Sequence, residues 1–174
     1  AVEQVLFGPN GAESALTEGT VIADSSTISP SATRKFAECV ARKGVQWVDS
    51  PMTGSKTGAE SGTLLFIVGG EEAAIEKLKP LYAAMGKKIF RMGEVGKGQS
   101  AKLVMNLQIA LIYEGFAEAL TLGAKLGVDA ETLMPLVQAS IYKRSMMQFD
   151  PDGWDMDRYL QLHMDLFLRG LAKE

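Results

Sequence analysis

The stretch Gly96-Lys97-Gly98-Gln99-Ser100-Ala101-Lys102-Leu103-Val104-Met105-Asn106 turns a glycine-marked loop into the longest uninterrupted helical pattern in the chain. From Gln99 to Gly127 there is no proline, and apolar residues recur at helical spacing at Leu103, Leu107, Ala110 and Leu111. Gly96 and Gly98 relieve backbone strain at the entry. One long helix is expected, roughly 40 Å at about 1.5 Å per residue, longer than a small domain is wide; it should join two modules or pack against another chain. Lys102 and Asn106 stand four apart, which stacks an ammonium beside a carboxamide on one helix face, near the end that abuts the loop. By spacing alone such a pair is more often solvated surface than a site.

Working outward, the chain upstream alternates strand and helix. Residues 1–7 read as the tail of a helix, Gly8-Pro9-Asn10-Gly11 as turn formers, and residues 12–16 as a short helix. Val21-Ile22-Ala23-Asp24 reads as a buried strand ending in a polar cluster. Ser29 caps the next helix, Pro30 suits its first turn, and residues 32–43 carry it to a stop at Gly44. Val45-Gln46-Trp47-Val48-Asp49 is the following strand. Strand, helix and strand make a right-handed βαβ unit, whose ligands sit beyond the carboxyl ends of the strands, at residues 24–27 and 49–55. Residues 63–68 form a further β-rich run. Residues 71–85 are an amphipathic helix with Leu78 and Leu81 on the buried side and Pro80 interrupting it, and residues 88–92 the last strand. Beyond residue 98 the pattern is only helical, with a turn at Gly127-Val128-Asp129 and a second helix over residues 130–140. The fold class is therefore α/β, a layered domain joined to an all-α module led by one long helix, with the boundary inside residues 93–98.

Composition narrows the partners. With 174 residues, 47% hydrophobic and 22% charged, the chain has the makeup of an ordinary globular protein of one or two domains. A net charge of −3 argues against a sequence-independent nucleic-acid binder. The one cysteine, Cys39, allows neither an internal disulfide nor a cysteine zinc site; it reads as a small buried hydrophobe in a helix, in a reducing, cytoplasmic compartment. No run of about 18 consecutive apolar residues is present, and no basic leader precedes an apolar run, so neither membrane insertion nor secretion is expected.

A second motif lies upstream of the first: Asp49-Ser50-Pro51-Met52-Thr53-Gly54-Ser55-Lys56, followed by Ala59-Glu60-Ser61-Gly62-Thr63-Leu64. In order and distance the two resemble the substrate motif (Asp-x-Pro-x-Ser-Gly) and catalytic motif (Gly-x-Gly-x-x-x-Lys-x-x-x-Asn) of the β-hydroxyacid dehydrogenases, with Thr53 where the family usually has serine. The resemblance covers nearly the whole chain, including Val5-Leu6-Phe7-Gly8 with Gly11, Asp24-Ser25-Ser26-Thr27-Ile28-Ser29-Pro30, Val68-Gly69-Gly70 and Ala84-Met85-Gly86-Lys87. It implies that residues 1–95 are the C-terminal part of a Rossmann-like NAD(P)-binding domain and residues 96–174 an incomplete α-helical C-terminal domain. It also implies NAD(P)-dependent interconversion of a small hydroxy acid with its oxo acid or semialdehyde. Lys102 and Asn106 would then be catalytic, Thr53, Gly54 and Ser55 would hold the substrate carboxylate, and Ser26 and Thr27 would lie near the nicotinamide.

The residue types suit that chemistry. Reducing a small oxo acid needs a hydride source, a proton donor beside the developing alkoxide and fixed donors for the carboxylate. Lys102, at the lysine position of the motif, is able to deliver a proton, given a pKa lowered by desolvation. Asn106 would orient the oxygen, and the Thr53 hydroxyl with the N–H groups of Gly54 and Ser55 would hold an anion at a strand end, where the alternative is a plain turn. Met105 stands where 6-phosphogluconate dehydrogenases carry histidine, which disfavours a sugar phosphate. Gly54-Ser55-Lys56 and Ala59-Glu60 with Gly62 look more like reductases of glyoxylate and succinic semialdehyde than 3-hydroxyisobutyrate dehydrogenases, which usually have a second glycine at the position of Ser55.

The family's phosphate-cradling Gly-x-Gly-x-x-Gly loop is not in this sequence, and Gly8-Pro9-Asn10-Gly11 is no substitute because it follows a helix instead of joining a strand to one. A chain truncated at its start and short at its end is expected. Two functional classes stay open: an oxidoreductase whose catalytic half is preserved, or a non-catalytic relative kept as an oligomerisation module through its long helix. A homo-oligomer is expected in either. Asp150-Pro151-Asp152-Gly153-Trp154-Asp155-Met156-Asp157 lacks EF-hand spacing, and the lone His163 supports neither a triad nor a metal site, so no metal is expected.

Overall fold

The structure, a computed structural model, describes residues 1–147, with side chains to residue 138. The Asp150 to Asp157 segment and His163 lie outside the described residues. Helix α1 (Val2–Phe7) and one 3-10 turn (Ala12–Ala15) lead into strand β1 (Val21–Asp24). Helix α2 (Pro30–Ala41) returns the chain to β2 (Gln46–Asp49), which runs parallel to β1 in the register Asp24↔Asp49. The Ser29 hydroxyl accepts from Ala32 N at 3.2 Å with Pro30 beside it, so α2 begins as its sequence predicts, and Gly44 at φ 70 closes the turn before β2.

The chain then does what the sequence did not reveal. The motif after Asp49 forms a short strand β3 (Met52–Thr53) and a one-turn-and-a-half helix α3 (Ser55–Glu60), elements that were not expected between Asp49 and residue 63. Six residues with a glycine among them carry no readable period. Strand β4 (Leu64–Gly69) pairs antiparallel with β2 at Asp49↔Gly69 and with β3 at Thr53↔Leu65. Helix α4 (Glu72–Met85) is continuous through Pro80, and β5 (Gly86–Gly93) lies parallel to β4.

The sheet is covered on both faces because β2 alternates. Val48 joins Phe66, Val68, Ile75 and Tyr82 in a core under α4, whereas Trp47 joins Leu6, Phe36 and Val40 in a core under α1 and α2. Three burial expectations are corrected here. On α4 it is Tyr82, 2% exposed and 4.6 Å from the Phe66 ring, that fills the core; Leu81 is 48% exposed and Leu78 half-buried. Cys39 is exposed, since the buried stripe of α2 is Thr33, Phe36 and Val40 and the residue before Val40 is turned about 100° away. In β1 only Asp24 is buried, because among the described residues this strand pairs on one side alone.

Helix α5 (Lys97–Lys125) is the expected long helix, 29 residues, and α6 (Ala130–Met147) runs beyond the predicted end and through Pro135. Uninterrupted apolar runs had suggested no span, yet by length and composition α5 is apolar enough to cross a membrane, with mean hydropathy 1.3 over its most apolar window, none of it buried. The chain divides into two compact units, Ala1–Leu111 and Ile112–Glu174. In the second, Asp129 caps α6 by accepting from Thr132 N and its hydroxyl, both at 2.8 Å, and these bonds hold its carboxyl below the usual range.

Candidate active site

The strand ends and the start of α5 meet within the first unit. A helix begins with N–H groups that have no partner inside the helix. Here a single buried carboxylate serves them: Asp49 Oδ1 accepts from Gly96 N at 2.7 Å and Oδ2 from Gln99 N at 2.8 Å, with the residue 0% exposed. Burial nonetheless pushes the Asp49 carboxyl above its usual 3.8, outweighing those two bonds, with the neighbouring Asp24 acting in the same sense. The approach is so close that only glycines fit. A Cβ on Gly98 would lie 2.5 Å from Ile67 O and 2.8 Å from Asp49 Oδ2, and one on Gly69 would lie 2.8 Å from Gly98 N. Strain relief, the role expected of both motif glycines, holds for Gly96 at φ 90; Gly98 is there for space.

Gln99 makes the second junction. Its side chain is fully buried, with Oε1 accepting from Ile28 N at 3.2 Å and Nε2 donating to Ser26 O at 2.7 Å. The turn carrying Ser26 and Thr27 is thereby fastened to the first turn of α5. Within that turn Ser26 N donates to Asp24 Oδ1 at 3.0 Å, while Ser26 and Thr27 themselves remain exposed. Lys102 follows Gln99 by three residues, about 4.5 Å along the axis, and Asn106 by a further turn. Both are half-buried, and burial pulls the Lys102 ammonium below its usual 10.5.

Thr53, Gly54 and Ser55 stand elsewhere on the same unit. Thr53 pairs with Leu65, four residues along β4 from Gly69 and so about 13 Å away along that strand. Gly54, at φ 124, precedes the first turn of α3, and Ser55, at φ 49, is the one non-glycine residue with positive φ among the described residues. A serine held in that region is a strained position, the kind that functional loops retain. No hydrogen bond among the described residues joins these three to Lys102 or Asn106. The structure therefore ties Ser26 and Thr27 to the Lys102 helix directly, and Thr53 to Ser55 only through the sheet.

Sequence reasoning did not single out Asp49, Gly69 or Gln99 for a role. The available signal was the pairing of a strand-end aspartate with a later Gly-x-Gly-Gln, a combination suited to an anion and small residues at a helix N-terminus. Gly8 and Gly11 are accounted for locally. Their Cβ atoms would lie 2.4 Å from Gln4 O and 2.3 Å from Leu6 O, so they fold the chain back on α1.

Comparison with known proteins finds relatives over most of the chain. Residues 1–93 match the model of the NAD binding domain of 6-phosphogluconate dehydrogenase, and residues 96–153 that of the NAD-binding domain of NADP-dependent 3-hydroxyisobutyrate dehydrogenase. The chain is 44% identical over 139 residues to 2-(hydroxymethyl)glutarate dehydrogenase of Eubacterium barkeri, covering 80% of this chain and 46% of that one. It is 43% identical over 128 residues to 2-hydroxy-3-oxopropionate reductase of Escherichia coli, covering 74% and 44%. A solved 3-hydroxyisobutyrate dehydrogenase of Mycobacterium tuberculosis with L-serine superposes with a TM-score of 0.65 at 34% identity, covering 72% of this chain and 43% of that one. The chain spans about half the length of the curated relatives it matches. A mixed sheet covered by helices, a long helix opening with Gly-x-Gly and carrying Lys102 and Asn106, and these matches together make the chain a member of the β-hydroxyacid dehydrogenase family.

Proposed function

We propose that this chain forms the catalytic portion of an NAD(P)-dependent dehydrogenase interconverting a small hydroxy acid and its oxo acid or semialdehyde, of the 3-hydroxyisobutyrate, glyoxylate or succinic semialdehyde class. The observation that carries this reading is Lys102, half-buried with a lowered pKa, one turn into a helix whose start is locked to two strand ends. In the reductive direction Lys102 Nζ gives its proton to the developing alkoxide oxygen, and Asn106 donates a hydrogen bond that orients the same oxygen. The Thr53 hydroxyl and the N–H groups of Gly54 and Ser55 hold the carboxylate. A nicotinamide cofactor, when bound, supplies the hydride. Ser26 and Thr27, exposed beyond the end of β1 and pinned from behind by Gln99, suit its ring end. A helical module kept only for association has no need of a depressed lysine or a strained serine.

Residues 1–95 serve the cofactor side and the described residues from 96 onward the helical domain. The exposed apolar side chains of α5, including Val104, Leu107 and Leu111, are covered by a second copy of the protein and not by lipid. An acidic residue at the centre of a membrane helix costs about 3 kcal/mol, and Glu114 and Glu118 stand near the middle of α5. The exposed Cys39 suits a reducing cytoplasm. The test is turnover of small oxo acids by the whole protein with NADPH or NADH, wild type against Lys102→Ala. A loss of about 10²-fold or more in kcat is expected for general acid catalysis, and equal turnover by both would overturn the reading.

A further inference from the structure

We infer that Gln99 is a positioning residue: its buried carboxamide fastens the Ser26–Thr27 turn to the helix that carries Lys102, and so sets where the cofactor's ring lies relative to that ammonium. The inference rests on the proposed dehydrogenase reading for its kinetic consequence and on geometry alone for the lock. Glutamine is a surface residue by habit, and burying an amide is unfavourable unless both ends are bonded. Gln99 is 0% exposed and both ends are bonded, across 71 and 73 residues of sequence. The arrangement has one sense only. Ile28 offers an N–H and Ser26 a carbonyl, so an amide matches the pair, whereas a carboxylate would set a second acceptor against Ser26 O. Among the described residues these are the two side-chain hydrogen bonds that join the turn to α5. The helix itself is anchored separately, by Asp49 on Gly96 N and Gln99 N. Removing the Gln99 side-chain bonds therefore frees the turn without uncapping the helix.

Nothing in the fold requires that connection, since the sheet, both cores and the Asp49 cap are complete without the amide. What it fixes is the distance between the exposed Ser26–Thr27 surface and a lysine less than one turn away. A positioning role predicts a selective defect on the cofactor side, with carboxylate recognition at Thr53 and Gly54 spared.

The experiment compares three forms of the whole protein: wild type, Gln99→Met, which keeps the length and loses both bonds, and Gln99→Glu, which keeps the size and the Ile28 acceptor. Amide hydrogen exchange is read at Ile28 against Val48 and Phe66 in the sheet, and steady-state constants are read for the nicotinamide cofactor and the acid. In Gln99→Met, exchange at Ile28 should rise about tenfold or more with the sheet unchanged, and KM for the cofactor should rise about tenfold with KM for the acid within about twofold, the worth of one hydrogen bond near 1.4 kcal/mol. Gln99→Glu should raise the cofactor KM as well, through repulsion at Ser26 O. Unchanged exchange at Ile28 would overturn the lock. Faster exchange with an unchanged cofactor KM, or an equal rise in both KM values, would overturn the positioning role while leaving the dehydrogenase reading standing. Absence of turnover by the wild type would instead overturn the functional reading, and the exchange comparison would still decide whether the lock exists.

Discussion

Replacing Asp49 by asparagine tests how the start of α5 is held. Its two oxygens accept from Gly96 N at 2.7 Å and Gln99 N at 2.8 Å with no exposure to solvent. Asparagine keeps one acceptor and turns an NH2 toward the other N–H, leaving a buried donor unpaired at a cost of about 1–3 kcal/mol. Relief of the carboxylate's desolvation offsets part of this, so about 2 kcal/mol is expected, roughly 4–8 °C in Tm for a chain of this size. The pH dependence has a definite sign. Burial raises the carboxyl above its usual 3.8, so the native state binds this proton more tightly than the unfolded chain does. The group's contribution is fully present below the unfolded pKa and declines as pH rises through the raised native value. A protonated carboxyl keeps its carbonyl oxygen as a full acceptor and a weaker acceptor at its hydroxyl, whereas the NH2 of asparagine accepts nothing. The stability gap between wild type and Asp49→Asn should therefore be widest on the acid side and narrow toward neutral pH. Thermal melts followed by circular dichroism from acid to neutral pH measure it. A neutral-pH Tm within about 1 °C of wild type, or a gap that widens as pH rises, would refute the reasoning.

Thr53→Ala should raise KM for the acid about tenfold while lowering kcat less, because it removes a contact made in both ground and transition states; steady-state kinetics with a single oxo acid decide it, and an unchanged KM would remove Thr53 from the carboxylate site. The apolar side chains exposed along α5, from Leu103 to Leu122, should be covered by association, so light scattering should give a dimer or larger at micromolar concentration, and a stable monomer would contradict this.

The elements that could be read from sequence were those with a period or a cap. The start of α2 followed from Ser29 and Pro30, and the length of α5 from an unbroken helical pattern. The sheet's parallel β1–β2 pair followed from strand, helix and strand. What stayed hidden depends on contacts between distant segments. The antiparallel β3–β4 pairing rests on two residues, too few for any alternation to be visible. Leu81 and Tyr82 are both apolar enough to occupy the inner face of α4, and only the Phe66 ring beneath decides for Tyr82. Lys102 and Asn106 stood out by their spacing. The carboxylate and amide that hold their helix did not, because Asp49 and Gln99 acquire their roles from partners about fifty and seventy residues away.

The central claim is that Lys102 delivers the proton, and arginine at that position tests it most directly. Arginine keeps the positive charge but does not give up a proton near neutral pH. In the whole protein, kcat for oxo-acid reduction by Lys102→Arg should fall about 10²-fold or more. The wild-type reduction rate should decline as pH rises through a lysine pKa below the usual 10.5, since the reacting form is the protonated one, and that limb should be missing in the variant. A Lys102→Arg protein that turns over near the wild-type rate, with the same pH profile, would contradict the account and leave Lys102 as a fixed charge.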